Sequence, residues 1–151
     1  MPKSAASVLW MSPIYSLFPG ALAQSLGRLG NFINGELMGR VIQNESWQWL
    51  GVDFGDGLLR YPSPLFQSIA LLVNFLILLF IFNQKPKPGT LLASYLMMNG
   101  GFRLVTELFR EPDTQIGFLI GHLTLGQILS VGVMGVGVCT LGFSLKFNKS
   151  T

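Results

Sequence analysis

The sequence predicts an all-α, polytopic integral membrane protein with about four transmembrane segments and a structured loop at the outer membrane face. Three observations carry this. Half of the 151 residues are hydrophobic and 11 % are charged, with a mean hydropathy of +0.51. A soluble domain is about a quarter charged, so a water-soluble globule of this composition is short of polar surface. Apolar segments recur along the chain, separated by polar stretches. Finally, the basic residues segregate: Lys3, Lys85, Lys87, Lys146 and Lys149 lie at the ends and in a central connector, and every arginine lies elsewhere. Residues 1–151 read as a single membrane domain.

The first apolar segment covers roughly residues 5–26 and contains Pro13, Pro19 and Gly20. These predict a kinked or broken helix. Next comes Gly27-Arg28-Leu29-Gly30-Asn31-Phe32-Ile33-Asn34-Gly35-Glu36-Leu37-Met38-Gly39-Arg40. Its arginines and glutamate are costly in hydrocarbon, and its glycines and asparagines permit tight hydrogen-bonded backbone. It reads as a functional loop at a membrane boundary. Val41 to Arg60 is polar and aromatic, with Trp47, Trp49, Asp53 and Asp56. Tryptophan favours the membrane interface.

Arg60-Tyr61-Pro62-Ser63-Pro64 marks a boundary, and Leu65 to Phe82 is a nearly pure apolar span. Gln67 and Asn74, seven residues apart, share a face of it and are expected to bond neighbouring helices. Residues 83–89 connect to a third span, Leu91 to Arg110. There Asn99, Arg103, Glu107 and Arg110 follow at spacings of four, four and three, which is one helical stripe. Two readings stand at this point: an internal ion pair that locks helices, or a functional site. Glu111-Pro112-Asp113-Thr114 ends the span. Thr124-Leu125-Gly126-Gln127 fits a capping box that opens a last, glycine-rich helix to about Leu145. Its glycines (126, 132, 135, 137 and 142) allow close helix approach. His122 reads as an interfacial or hydrogen-bonded residue, and Cys139 as a small buried hydrophobe. No metal-ligand spacing occurs, and no metal or cofactor is expected.

With alternating spans, all the lysines fall on one side, which the positive-inside rule makes cytoplasmic. Arg28, Arg40, Arg60, Arg103 and Arg110 then gather at the outer boundary. The basic residues form no stripe or patch of the kind that binds nucleic acid. Guanidinium presents a rigid fork of donors that matches phosphate, and the phosphates at that depth belong to lipid headgroups. The residues alone thus point to an anionic phospholipid site that opens outward, with a salt-bridged plug as the architectural alternative. Asn31 and Asn34 add neutral donors, and Glu36 or Glu107 is placed to orient an arginine or act as a base.

The stretch from Gly27 to Arg40 resembles the signature of prolipoprotein diacylglyceryl transferases, bacterial inner-membrane enzymes. Further matches are Arg60-Tyr61-Pro62-Ser63-Pro64-Leu65-Phe66, Gly101-Phe102-Arg103 through Glu107 to Asp113, and Leu125 to Ser130. The likeness covers nearly the whole chain but only about the C-terminal half of the usual family protein. It implies transfer of a diacylglyceryl group from phosphatidylglycerol to the lipobox cysteine of a preprolipoprotein, with the active face outward. It also implies that Arg28 and Arg103 handle the phosphate. Asn31 and Gly39 match required positions, and Glu36, Glu107 and Arg110 match supporting polar ones. The expected catalytic set is Arg28, Asn31, Glu36, Arg103 and Glu107. The expected phosphatidylglycerol-binding set is Arg28, Asn34, Gly39, Arg103 and Arg110. Phosphatidylglycerol, the lipobox peptide, membrane lipid and an N-terminal half carrying a His-Gly-Gly segment are the implied partners.

The chain departs from the family pattern at several polar positions. Tyr61 stands for histidine, Pro64 for glutamine, Phe66 for tyrosine, Gln67 for glutamate and Asn99 for a frequent tyrosine. Alternatives to the enzyme are a non-catalytic phospholipid-binding or assembly protein and a small transporter subunit.

Overall fold

A computed structural model of the chain describes residues 5–111, 118–120 and 123–147. Four helices dominate it: α1 (Ala5–Ile33), α2 (Ser63–Asn83), α3 (Thr90–Glu107) and α4 (Leu125–Phe147). The protein is mostly helical, as its composition predicts. The connecting segments add what an all-α class does not: two short antiparallel ribbons. One pairs β1 (Val52–Asp53) with β2 (Leu59–Arg60), the other β3 (Phe118–Ile120) with β4 (Leu123–Thr124). A 3-10 helix covers Glu45–Leu50, capped by the Asn44 side chain accepting from the Ser46 amide at 3.0 Å.

Two boundaries differ from the sequence reading. The first helix is neither broken nor confined to residues before Leu26. It runs 29 residues through Pro13, Pro19 and Gly20 and takes in Gly27–Ile33. The second half of the signature stretch, from Asn34, is the turn. Gly35 there adopts φ +68° and Leu37 φ +56°. Left-handed backbone at a leucine is strained, and the Ser63 hydroxyl holds it by donating to the Leu37 carbonyl at 2.9 Å. The capping box is as expected. The Thr124 amide donates to Gln127 Oε1 at 3.1 Å, and the Gln127 amide donates to Thr124 Oγ1 at 3.3 Å.

The helices pack in chain order, α1 on α2, α2 on α3 and α3 on α4. Serines and phenylalanines join the first pair. Ser25 Oγ donates to the Ser68 carbonyl at 2.9 Å, Ser68 Oγ donates to the Ser25 carbonyl at 2.8 Å, and Phe18 meets Phe75 and Phe82 edge-on. Glycines join α3 to α4. A Cβ at Gly100 would crowd the Ser130 carbonyl oxygen at 2.7 Å, and one at Gly137 would crowd Met97 Cγ at 2.7 Å. Close backbone approach of this kind is how helices associate where lipid supplies no hydrophobic drive. Gly132, Gly135 and Gly142 take no part, since nothing lies within 4 Å of their missing Cβ atoms.

The burial pattern is inverted relative to a soluble protein. Ser25, Ser63, Ser68, Asn74, Thr106, Thr124 and Ser130 are buried, while Leu76, Phe80, Val131, Val138 and Phe143 are exposed. Cys139 follows the same inversion: it is exposed rather than buried, because apolar and weakly polar groups face outward. Helices α2 and α4 are each long and apolar enough to cross a bilayer. Helices α1 and α3 are long enough, but they carry the polar residues of the cavity described below. Gln67 and Asn74 are buried on one face of α2 as expected, yet neither ties helices together: both amide atoms of Asn74 lack a partner among the described residues. Lys85, Lys87 and Lys146 share one end of the bundle, where Ser144 Oγ donates to the Pro88 carbonyl at 2.6 Å. Lys3, His122 and Lys149 lie outside the described residues.

Candidate active site

Helices α1, α2 and α3 enclose a cavity of about 460 Å³ on the arginine side of the bundle. Helix α1 contributes Gln24, Gly27, Arg28 and Asn31; α2 contributes Gln67, Ala70 and Leu71; α3 contributes Asn99, Phe102, Arg103 and Thr106. The extension of α1 past Leu26 is what places Arg28 here. Three and four residues separate the polar positions on α1, so they line one face. Arg28 and Arg103 come from helices separated by 75 positions in sequence, and both line this one space.

The two arginines have neither a carboxylate partner nor a protein hydrogen bond from their side chains among the described residues. Cations held near one another without a counter-ion make a site for an anion. Among the described residues no carboxylate lines the cavity. Among the described residues no group of metal-ligating side chains clusters.

Five of the sequence-derived site residues are outside this lining. Asn34 and Glu36 are exposed in the turn. Gly39 is buried between two backbones: its amide donates to the Tyr61 carbonyl at 3.0 Å, and a Cβ would meet the Phe109 carbonyl oxygen at 2.7 Å. It makes a crossing point rather than a wall of the cavity. Arg40 continues the crossing, its amide donating to the Phe109 carbonyl at 3.0 Å and its Nε to the Arg110 carbonyl at 3.0 Å. Glu107 and Arg110 leave the cavity because four-residue steps drift about 40° around a helix and α3 ends at Glu107. The Glu107 carboxylate turns to the start of α4. Thr124 Oγ1 donates to its Oε1 at 3.2 Å, and a Cβ at Gly126 would lie 2.6 Å from that oxygen. Its Oε2 has no hydrogen-bond partner among the described residues and stands 4.0 Å from an Arg110 guanidinium nitrogen.

Gln24 and Thr106 are the polar lining residues that sequence reasoning did not single out. Gln24 lies four residues before Arg28, and Thr106 three after Arg103. That spacing was the available signal, but it speaks only once α1 is known to continue through Arg28.

The model of the prolipoprotein diacylglyceryl transferase family matches residues 5–143. The chain belongs to this family. A protein from Oleidesulfovibrio alaskensis named phosphatidylglycerol–prolipoprotein diacylglyceryl transferase is 42 % identical over 134 residues, covering 87 % of this chain and 48 % of the relative. Proteins of the same name from Cupriavidus pinatubonensis and Helicobacter hepaticus are 40 % and 38 % identical, over 88 % and 85 % of this chain. The chain spans about half the length of these transferases, 48 % and 44 % for the latter two. The membrane character of the diacylglyceryl transferase family agrees with the two apolar helices and the outward-facing hydrocarbon side chains.

Proposed function

We propose that the protein transfers a diacylglyceryl group from phosphatidylglycerol to the lipobox cysteine of a preprolipoprotein. The observation that carries this is the meeting of Arg28 and Arg103, without carboxylates, in one cavity between three helices. In the reaction the cysteine sulfur forms a bond to the glyceryl carbon, and that carbon's bond to the phosphate oxygen breaks. The oxygen keeps the electron pair, glycerol phosphate departs, and the thiol proton goes to a base. Negative charge grows on the leaving phosphate. Fixed guanidinium donors stabilise that charge more than they stabilise the starting diester. Asn31 adds a neutral donor at the same level. Glu107, Arg110 and Gly39 act behind the cavity, by holding the turn, the end of α3 and the start of α4 together. Asn34 and Glu36, exposed in that turn, belong to the rim that a substrate peptide approaches.

The setting proposed is a bacterial inner membrane crossed by all four helices, with the lysine end cytoplasmic and the loop of residues 34–62 outside. A second polypeptide segment, corresponding to the half of the relatives that this chain does not span, supplies the base.

The test uses purified protein in phosphatidylglycerol vesicles with a lipobox peptide, with and without an N-terminal half taken from a relative. Thioether product that disappears in Arg28→Ala and Arg103→Ala is the expected result. Absence of product in both preparations, with the chain folded, sinks the proposal. One observation favours a second reading, a phospholipid-binding protein without turnover: among the described residues no acid lines the cavity. That reading predicts headgroup binding that needs both arginines and yields no product in either preparation.

A further inference from the structure

The cavity has two tiers. Arg28, Asn31, Arg103 and Thr106 form one, toward the loop end. Gln24 and Asn99 lie four residues before Arg28 and Arg103 on helices that both run toward the loop, so they sit about 6 Å closer to the lysine end. Gln67 joins them from α2. The reciprocal Ser25–Ser68 hydrogen bonds, between the residues adjacent to Gln24 and Gln67, hold these two helices in register at that level. This inner tier is uncharged. Its groups are three carboxamides, bordered by Ala70, Leu71 and Phe102. Gln24 Nε2 donates to the Tyr95 hydroxyl at 3.0 Å. The Gln67 and Asn99 amides make no hydrogen bond among the described residues, although Gln67 is only 8 % exposed.

Amide donors left unused on buried Gln67 and half-buried Asn99, bordered by apolar side chains, suit a ligand that accepts hydrogen bonds and carries no charge. A second anion would stay on the arginines. A free phosphate or soluble phosphodiester would fill only the outer tier. In a glycerophospholipid the groups a few covalent bonds from the phosphate, on its hydrocarbon side, are two carboxylic esters. Their carbonyls accept and never donate. We infer that Gln67 and Asn99, beside the Tyr95-held Gln24, bind the ester carbonyls of the lipid's diacylglyceryl portion, so that the site distinguishes ester-linked from ether-linked phospholipid. This rests on the phosphate being held by Arg28 and Arg103. Each carboxamide fills its role by donating an N–H, and none takes part in bond breaking.

The experiment measures binding of diacyl phosphatidylglycerol and of its dialkyl ether analogue, matched in chain length, to the full chain in detergent micelles. Inorganic phosphate serves as the competitor that reports the outer tier alone. The ester lipid is expected to bind about fivefold more tightly for each carbonyl engaged. Gln67→Met and Asn99→Ala should each shrink that ester-to-ether ratio, while Arg103→Ala should weaken both lipids alike and leave the ratio standing. Equal binding of the two lipids by the unmodified protein overturns the inference, and this comparison needs no variant to fold. An unchanged ratio in folded Gln67→Met and Asn99→Ala also overturns it. If both lipids bind with dependence on the arginines but without preference, the phosphate site survives and only the ester tier falls. If neither lipid binds, both fall.

Discussion

The arginines of the cavity and those of the loop differ in what they already hold. Arg60 is used up: its Nε donates to Asp56 at 2.6 Å, and one terminal nitrogen reaches Glu111 at 2.5 Å and the Gly39 carbonyl at 3.4 Å. Arg40 donates to a backbone carbonyl, and Arg110 stands beside Glu107. These side chains knit the turn, β2 and the end of α3 together. Arg28 and Arg103 have no such partners among the described residues, yet they are the two that share a cavity. Sequence alone gathered all five arginines into one group. The structure divides them into ties and a pair that lines the cavity, and the division turns on where Asp56, Glu107 and Glu111 fall.

The largest expected effect breaks this comparison directly. Arg28→Ala or Arg103→Ala should lower diacylglyceryl transfer at least about a hundredfold, the usual loss when a fixed donor to developing charge is removed. Neither should lower the melting temperature, because each removes a cation that has no carboxylate partner among the described residues. Arg103→Lys should recover little activity, since a point charge does not reproduce a planar fork. A melting temperature that falls in these variants as far as in Arg60→Ala would mean that the cavity arginines are structural after all.

Gly39→Ala probes the other side. A methyl group there overlaps the Tyr61 and Phe109 carbonyl oxygens, so the crossing of turn, β2 and α3 must open. Overpacking of this sort costs about 2 kcal/mol, and activity should follow the loss of folded protein rather than precede it. Denaturation followed alongside transfer rate separates the two.

The Glu107 cradle is intermediate. Glu107→Gln keeps an oxygen for the Thr124 hydroxyl but removes the negative charge that stands beside Arg110 behind the cavity. A fall of several-fold in anionic lipid binding with unchanged helical content is expected. Gly126→Ala, which thrusts a methyl group against the same carboxylate, should reproduce that loss and also destabilise the α3–α4 contact. If Glu107→Gln binds lipid normally, the carboxylate serves only the helix pair.

What was legible beforehand was local. The Thr124–Gln127 capping box needs only four residues, and the start of α2 needs only Pro62 to Pro64, so both were readable. The lysine end was readable from spacing. The unbroken α1 was not, because Pro13, Pro19 and Gly20 argue locally against a helix whose 29 residues are retained by packing on α2. Missing that continuation hid Gln24 as a cavity residue and made a loop of the segment that carries Arg28. The pairing of Arg60 with Glu111 and the burial of Gly39 against Phe109 depend on contacts across 51 and 70 positions, which no window along the chain contains.

The smallest effect concerns acid. The Arg60 guanidinium and the Leu58 amide hold the Asp56 carboxyl below its ordinary value of 3.8. Its folded pKa is thus lower than its unfolded one, so its contribution to loop order is complete above the unfolded value and disappears as pH falls through the folded one. The loop should therefore be insensitive to pH from neutrality to about pH 5 and loosen below about pH 4. Trp47 and Trp49, 49 % and 75 % exposed in the same loop, report this by fluorescence once Trp10 is replaced by phenylalanine. Asp56→Asn should flatten the acid limb, and it should do so without changing lipid binding at neutral pH, because Asp56 serves an arginine that ties the loop and not one that faces the cavity. An acid limb that survives in Asp56→Asn would assign the transition to another carboxyl, with Glu111, the second partner of Arg60, the next to replace.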